Sequence, residues 1–286
     1  MNNIFKFNIL IICSIVFSST VSAQEKQVAT TLPITQALSE SLLKGTPVNS
    51  IYLPPKRLPV KRVSNWLNKK SEARIKRVGP LSAVVTVESI WPQYAAYGKL
   101  RTHNIHVIPI DVAQELNEPG SRVRMNTLPE QTHHYFWLAP DNLVVMGQIL
   151  ARDLSRIWPE HAAQIKLNLQ QLLHQIQTFS LRLDQLLLDH EVTSVCMQTP
   201  DLTPLAEAMF LPVEKGDHCK RQALNISKHS HSVQAVSMNW NVNPAEKPLK
   251  KGIEAWLKDN FSRLKNALNT DHQPADGQAV SSKEQT

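Results

Sequence analysis

The sequence predicts an α/β protein in which two α/β lobes are joined by a single long helix, the second lobe being shortened. Strand-like and helix-like segments alternate over residues 27–110, which is the pattern of parallel βαβ units. An apolar stripe at helical spacing then continues for about 28 residues, and a smaller strand-and-helix region follows it. At 286 residues and 42% hydrophobic, the chain can form one large domain or two small ones.

The N-terminal elements are bounded by turn-forming residues. A strand is predicted at 27–32, a helix at 34–44 that ends at Gly45, and a strand at 48–53 that stops at Pro54. The alternation then repeats, with a strand at 83–87, a helix near 92–100 and a strand at 105–110. Successive strand, helix and strand segments of this length indicate a parallel sheet.

Two helices follow. Leu143, Met146, Leu150 and Leu154 recur at helical spacing until Trp158-Pro159 interrupts them. The second helix begins near residue 160, and its apolar positions lie three or four residues apart: Ile165, Leu169, Leu172, Ile176, Phe179, Leu183 and Leu186. Its length of roughly 42 Å is enough to join two lobes, although an antiparallel helix pair fits the spacing equally well.

The remaining pattern is that of a smaller α/β unit. Strands are predicted at 192–197 and 233–238 and an amphipathic helix at 249–268, while 271–286 is polar, aperiodic and predicted to be disordered. No internal repeat is found. The expected organisation is a signal peptide at 1–23, an N-terminal lobe at 24–157, a connecting helix at 158–188, a C-terminal lobe at 189–270 and the tail.

The first 23 residues have the pattern of a secretory signal peptide. Lys6 supplies a basic region, 9–17 an apolar core, and Val21-Ser22-Ala23 a small-residue cleavage site. A lipoprotein signal ending at Cys13 is less favoured, because bulky Ile12 precedes that cysteine in mid-core. The mature protein is therefore expected to be exported and periplasmic.

Removal of the signal peptide leaves two cysteines, Cys196 and Cys219. In an oxidising compartment they are predicted to form one disulfide, which is favoured over a catalytic or metal-binding role. The chain-entropy model gives such a loop about 3 kcal/mol of stabilisation.

Glycine content and motifs exclude several classes of enzyme. The eight glycines are never closer than 19 positions, so neither a G-x-G-x-x-G nor a Walker A phosphate loop is present. Neither G-x-S-x-G nor H-E-x-x-H occurs. Aromatic residues make up only 6% of an exported chain, which argues against nucleic-acid binding. The sequence therefore predicts a protein that is not an enzyme.

Four segments together resemble one family. These are Val28-Ala29-Thr30-Thr31-Leu32-Pro33, Leu53-Pro54-Pro55-Lys56-Arg57-Leu58-Pro59-Val60, Tyr135-Phe136-Trp137-Leu138-Ala139-Pro140-Asp141-Asn142 and Trp158-Pro159-Glu160-His161-Ala162-Ala163. They resemble, in order, the V-A-T-x-x-P, L-x-P-P-G-x-D-P-H, H-x-W-L-x-P-x-N and D-P-E-N-A-A segments of the periplasmic metal-binding proteins of zinc and manganese ABC importers. The resemblance covers most of the mature chain to about residue 269.

This resemblance implies two lobes joined by a rigid helix, with a metal captured in the cleft between them and delivered to an ABC permease at the inner membrane. It implies a monomer that carries zinc, with manganese the less favoured metal. The family's first and third ligand positions correspond to Val60 and Thr199, neither of which suits a metal, and the second corresponds to Tyr135 or, with a one-residue shift, His134. The protein is thus expected to be a divergent member with degenerate ligands.

Histidines supply the candidate metal ligands, since neutral imidazole suits zinc. His133 and His134 directly precede the W-L-x-P segment, and His229 and His231 form an H-x-H pair whose side chains share one face of a strand. Exposed, purely structural histidines remain the alternative for both pairs.

A basic segment supports a different function. Residues 56–77 contain nine Lys or Arg and a single acid, Glu72. Such a charge disfavours a cation site nearby and suits an acidic partner protein, an anionic ligand or an anionic lipid surface, with a solvated helix face and loop as the alternative. The alternative hypothesis is therefore a metal-independent periplasmic interaction or adaptor module on the same fold, working through the basic surface 56–77.

Overall fold

The fold is described from a computed structural model. The residues that the structure describes are 26–115, 120–124, 135–197, 199–215, 219, 222–228 and 238–269. The predicted signal peptide, the predicted tail and the candidate ligands His133, His134, His229 and His231 lie outside these residues. Within them, no helix is long and apolar enough to cross a membrane.

The first lobe is built on a four-stranded parallel sheet. Its strands are β1 (Gln27–Thr30), β2 (Asn49–Tyr52), β3 (Ala83–Thr86) and β4 (Ile108–Asp111), in the spatial order β2-β1-β3-β4. Its helices are α1 (Pro33–Leu42), α2 (Val60–Lys69), α3 (Glu72–Val78) and α4 (Tyr97–Arg101). Every residue of the central strands β1 and β3 is buried, because helices cover both faces of the sheet.

Two long helices continue the chain. They are α5 (Pro140–Ile157) and α6 (Ala162–Asp189), which pack against each other. A Cβ added at Gly147 of α5 would lie 3.1 Å from Leu172 Cδ2 of α6, so this glycine permits the close approach of the two helices. The side-chain amide of Asn168 donates to the carbonyls of Leu42 and Lys44, each at 2.8 Å, and so joins α6 to the end of α1.

The second lobe repeats the topology of the first. Its strands are β5 (Ser194–Met197), β6 (Val213–Lys215), β7 (Ala223–Ser227) and β8 (Asn239–Asn241), all parallel, in the order β6-β5-β7-β8. Its helices are α7 (Thr203–Ala208) and α8 (Gly252–Asn269), and α8 packs on β8, α6 and α1. The strand order is the same in both lobes although the sequence shows no internal repeat.

The structure adds elements that the pattern analysis missed. Helices α2, α3 and α7 and strands β6 and β7 are not among the predicted elements. The buried positions of α2 are Val60, Val63, Trp66 and Leu67, but the surrounding basic residues hide their helical spacing. The strand predicted at 233–238 falls almost wholly outside the described residues, and β8 begins directly after it.

A disulfide joins Cys196 of β5 to Cys219, with Cα atoms 5.7 Å apart. Cys196 is fully buried in the second sheet. The bond crosslinks two segments of the second lobe that are 23 residues apart in sequence.

Replacement of both cysteines by serine is expected to lower the free energy of unfolding by about 3 kcal/mol, because the unfolded chain regains the freedom of the closed loop. Urea unfolding of the oxidised protein and of the Cys196→Ser/Cys219→Ser variant measures the difference. A difference below about 1 kcal/mol would contradict a stabilising role for this bond.

Candidate functional site

Three charged residues of the second lobe lie where its parallel strands end. Asp201 follows β5, Lys228 directly follows β7, and Glu246 lies in the segment after β8. The carboxyl ends of parallel strands meet at one edge of a sheet, which is where α/β proteins place their ligands. This edge of the second lobe faces the first lobe.

The ammonium group of Lys228 is the centre of this arrangement. It forms an ion pair with the Asp201 carboxylate and lies 3.8 Å from Oε1 of Glu246. It also lies 5.3 Å from the ring centroid of Tyr135, a cation–π distance. The side chains of Lys228 and Asp201 are only 10% and 11% exposed, so the pair is largely removed from water.

The first lobe contributes Lys61 and Tyr135. The Lys61 ammonium lies 3.1 Å from Oδ2 of Asp201, and the Tyr135 hydroxyl donates to Glu246. The backbone N–H of Tyr135 donates to the carbonyl of Asp201 at 3.0 Å. We call Lys61, Tyr135, Asp201, Lys228 and Glu246 the interlobe cluster, because its contacts hold the two lobes together.

Burial and charge act in opposite directions on Asp201. Burial raises the pKa of its carboxyl, but the hydrogen bonds and positive charges of Lys228 and Lys61 together outweigh burial and hold that pKa below its ordinary value. Burial, followed by the hydrogen bond to Glu246, raises the pKa of the Tyr135 hydroxyl. The tyrosine is therefore a neutral donor at physiological pH, and Asp201 is ionised.

The interlobe cluster does not fit a metal ion. Its two carboxylates are neutralised by two ammonium groups, and Lys228 lies where a cation would have to approach both carboxylates. Across the described ranges, no group of three or more His, Cys, Asp or Glu side chains is arranged to hold a metal. The ammonium group of Lys228 thus takes the place of a bound cation between the lobes.

Of the three positions that correspond to the family's ligands, those of Val60 and Tyr135 lie at the interlobe cluster. Val60 is fully buried, and its backbone N–H donates to the carbonyl of Glu246 at 3.2 Å. Tyr135 is part of the cluster. Thr199 is exposed, and Asp201, two positions later, is the residue that enters the cluster.

The candidate histidine pairs border the interlobe cluster in sequence. His134 immediately precedes Tyr135, and His229 immediately follows Lys228. Their own placement, with that of His133 and His231, lies outside the described residues. Two other histidines, His103 and His106, are exposed in the first lobe.

Asp201, Lys228 and Glu246 are not among the residues predicted for the site, and Lys61 was predicted only as part of the basic surface 56–77. Asp201, Lys228 and Glu246 lie just beyond strands β5, β7 and β8, so the rule that ligands gather at the carboxyl ends of parallel strands points to them. Applying that rule requires β7 and β8, whose positions the sequence did not give.

Trp137, which contacts Tyr135 of the interlobe cluster, makes a further contact between the lobes. Trp137 is fully buried, and its indole N–H donates to the carbonyl of Pro244 at 3.0 Å. Its ring contacts those of Trp91, Tyr135 and Phe136, with centroids 5.2–5.4 Å apart. The adjoining cavity has a volume of only about 10 Å³, which shows that this part of the core is tightly packed.

Among known proteins, the chain is similar to several whose structures have been solved. No protein-family model matches the sequence, and neither does any curated protein. The crystal structure of a zinc-bound deletion mutant of ZnuA aligns with 88% of this chain and 100% of its own, with a TM-score of 0.58 and 15% identity.

Two further structures agree with it. The metal-dependent lipoprotein YcdH from Bacillus subtilis aligns over 84% of this chain and 98% of its own, with a TM-score of 0.61 and 11% identity. The SBP FpvC from Pseudomonas aeruginosa, in complex with Ni²⁺, aligns over 88% and 99%, with a TM-score of 0.61 and 11% identity. The chain therefore has the fold of these metal-binding solute-binding proteins, and the resemblance to them predicted from its sequence is confirmed at the level of the fold.

Proposed function

We propose that the chain is an exported binding protein that captures zinc between its lobes and delivers it to an ABC permease at the inner membrane. No catalysed reaction is part of this function. The lobes would comprise residues 24–157 and 189–270, joined by the helix at 158–188, and the protein would act in the periplasm as a monomer. Manganese is the less favoured metal.

The proposed zinc ligands are His133, His134, His229 and His231. The observation that carries this assignment is the contact between Tyr135 and Lys228, whose ring centroid and ammonium lie 5.3 Å apart. Tyr135 directly follows His134, and Lys228 directly precedes His229. The contact between Tyr135 and Lys228 therefore supports placing the two histidine pairs, one from each lobe, close to each other. Imidazole ligands would also leave the Lys228–Asp201 pair intact.

Zinc titration of the mature chain by calorimetry tests this function. We expect stoichiometric binding at micromolar affinity or tighter, lost in His133→Ala/His134→Ala and in His229→Ala/His231→Ala, because zinc needs three or four ligands. The matched control is His103→Ala/His106→Ala, which removes two exposed imidazoles from the first lobe and should bind as the unaltered chain does. Equal loss in the control variant would contradict the assignment.

A second function is favoured by a specific observation. The Lys228 ammonium pairs with Asp201 beside Glu246, so the carboxylates between the lobes are neutralised without a metal. This supports a metal-independent interaction or adaptor module that works through the basic surface 56–77. Absence of zinc binding in the same titration, with the fold intact by circular dichroism, would support this function over zinc capture.

A further inference from the structure

Helices α3 and α4 enclose two adjoining depressions on the surface of the first lobe. The first, of about 390 Å³, is lined by Lys69, Lys70 and Lys99. The second, of about 370 Å³, is lined by Lys76, and His103 lines both. The two depressions therefore form one continuous face on which cations predominate.

The basic segment 56–77 supplies Lys69, Lys70 and Lys76 to this face, and most of its positive charge is not compensated within the described structure. All nine Lys and Arg residues of 56–77 are exposed. Lys61 pairs with Asp201 and Lys76 with Glu72, at 3.1 and 2.7 Å. The other seven have no ion pair with any residue that the structure describes: Lys56, Arg57, Arg62, Lys69, Lys70, Arg74 and Arg77.

Glu72 offsets only the charge of Lys76. It is the single acid in 56–77, and its hydrogen bond to Lys76 lowers its pKa, so it remains ionised and committed to that lysine. Lys99 and Arg101 extend the positive charge onto α4. A face of this kind attracts polyanions and repels cations.

Exposed aliphatic side chains adjoin the basic face. Ile105 is 72% exposed and Ile108 43% exposed, in the segment that leads from α4 into β4. Ile105 follows Asn104, which lines the second depression, and lies between the exposed His103 and His106. Cations beside a protruding aliphatic residue are typical of surfaces that bind lipid headgroups and insert one side chain among them. Lysine is depleted in protein–protein interfaces, which makes a protein partner the weaker interpretation.

We propose that this basic face binds the anionic phospholipid headgroups of the membrane surface, with Ile105 inserted between them. The inference deepens the second function proposed above by naming the partner of the basic surface. It stands whether or not zinc is bound, since Lys69, Lys70, Lys99 and Ile105 are separate from the interlobe cluster.

Vesicle sedimentation in buffer with chelator tests the proposal on the mature chain. We expect binding to vesicles of equal parts phosphatidylcholine and phosphatidylglycerol, and none to phosphatidylcholine alone. The variant Lys69→Gln/Lys70→Gln/Lys99→Gln should bind at least tenfold more weakly, since one basic residue near an anionic surface contributes about fivefold. Its matched control, Lys247→Gln/Lys250→Gln/Lys251→Gln, removes the same charge from exposed positions of the second lobe and should bind unchanged.

The apolar contribution is tested separately. Ile105→Ser should weaken vesicle binding several-fold, whereas Leu188→Ser, a change at a 73% exposed position near the end of α6, should not. Equal binding to both kinds of vesicle, or an equal effect of the two triple variants, would overturn the proposal. Absence of binding to anionic vesicles would also overturn it and would favour an acidic protein as the partner. Because chelator is present throughout, none of these outcomes depends on zinc capture.

Discussion

Replacement of Lys228 by methionine is expected to lower the free energy of unfolding by about 3–5 kcal/mol. The substitution keeps most of the apolar side-chain volume but leaves the Asp201 carboxylate, which is 11% exposed, without its main partner. Urea unfolding at neutral pH measures the effect. Lys258→Met is the matched control: its ion pair with Glu254 is exposed, and its loss should cost less than about 1 kcal/mol.

The double variant Lys228→Met/Asp201→Asn separates charge from packing. Removing both members of a buried pair costs much less than removing one, because the buried carboxylate is removed together with its partner. The charges that remain are those of Lys61, which is half exposed, and of Glu246, which keeps its hydrogen bond from Tyr135. We therefore expect the double variant to recover a large part of the stability lost in Lys228→Met. A double variant no more stable than Lys228→Met would show that the effect comes from packing rather than from the ion pair.

The pH dependence of stability gives an independent check of the same pair. Because the folded pKa of Asp201 lies below its ordinary value of 3.8, the stability it contributes is present above that value and is lost as pH falls through the folded pKa. In Lys228→Met, only Lys61 remains to oppose the effect of burial, so the pKa of Asp201 is expected to be higher than in the unaltered protein. The stability difference between the two proteins should therefore shrink as pH is lowered towards the acid range. A difference independent of pH would contradict this account.

Replacement of Trp137 by alanine is the second change with a large expected effect, about 3–5 kcal/mol. Trp137 is fully buried beside a cavity of only about 10 Å³, so its removal would leave a void that the surrounding core cannot fill. The indole also joins the lobes through its hydrogen bond to Pro244. Denaturant unfolding monitored by circular dichroism measures the loss.

Two further variants locate the origin of this effect. Trp137→Phe keeps much of the ring but loses the bond to the Pro244 carbonyl, and should cost about 1–2 kcal/mol. Phe210→Ala removes an aromatic side chain that is 85% exposed and should change stability by less than about 0.5 kcal/mol. If Trp137→Ala were no more destabilising than Phe210→Ala, the contact would contribute nothing to joining the lobes.

Much of the fold could be predicted because its main signals are local. Strand β3 is a run of four buried residues, three of them β-branched, and α6 carries an apolar stripe whose members Ile165, Leu172 and Leu183 are buried in the structure. Burial of such stripes follows from helical periodicity alone. Short strands such as β6, with three residues, lack a local signal, because only pairing with β5 defines them.

The candidate site could be predicted only in part. The family-like segments located Val60 and Tyr135, and the structure brings both to the contact between the lobes. Asp201 and Lys228 could not be paired from sequence, since they are 27 residues apart and belong to different strand ends. The basic segment, in contrast, was visible as a run of charges, because local charge density needs no tertiary contact.

Local sequence patterns are sufficient to predict the alternation of strands and helices, the long helix α6, the cysteines available for a disulfide and the charge of the basic segment, since each depends on neighbouring residues. The contacts between the lobes, in contrast, become visible only in the folded chain. The interlobe cluster forms because folding brings together residues that are far apart in sequence, namely Lys61, Tyr135, Asp201, Lys228 and Glu246. The buried cation between the lobes is the ammonium group of Lys228, and no local sequence pattern predicts its position.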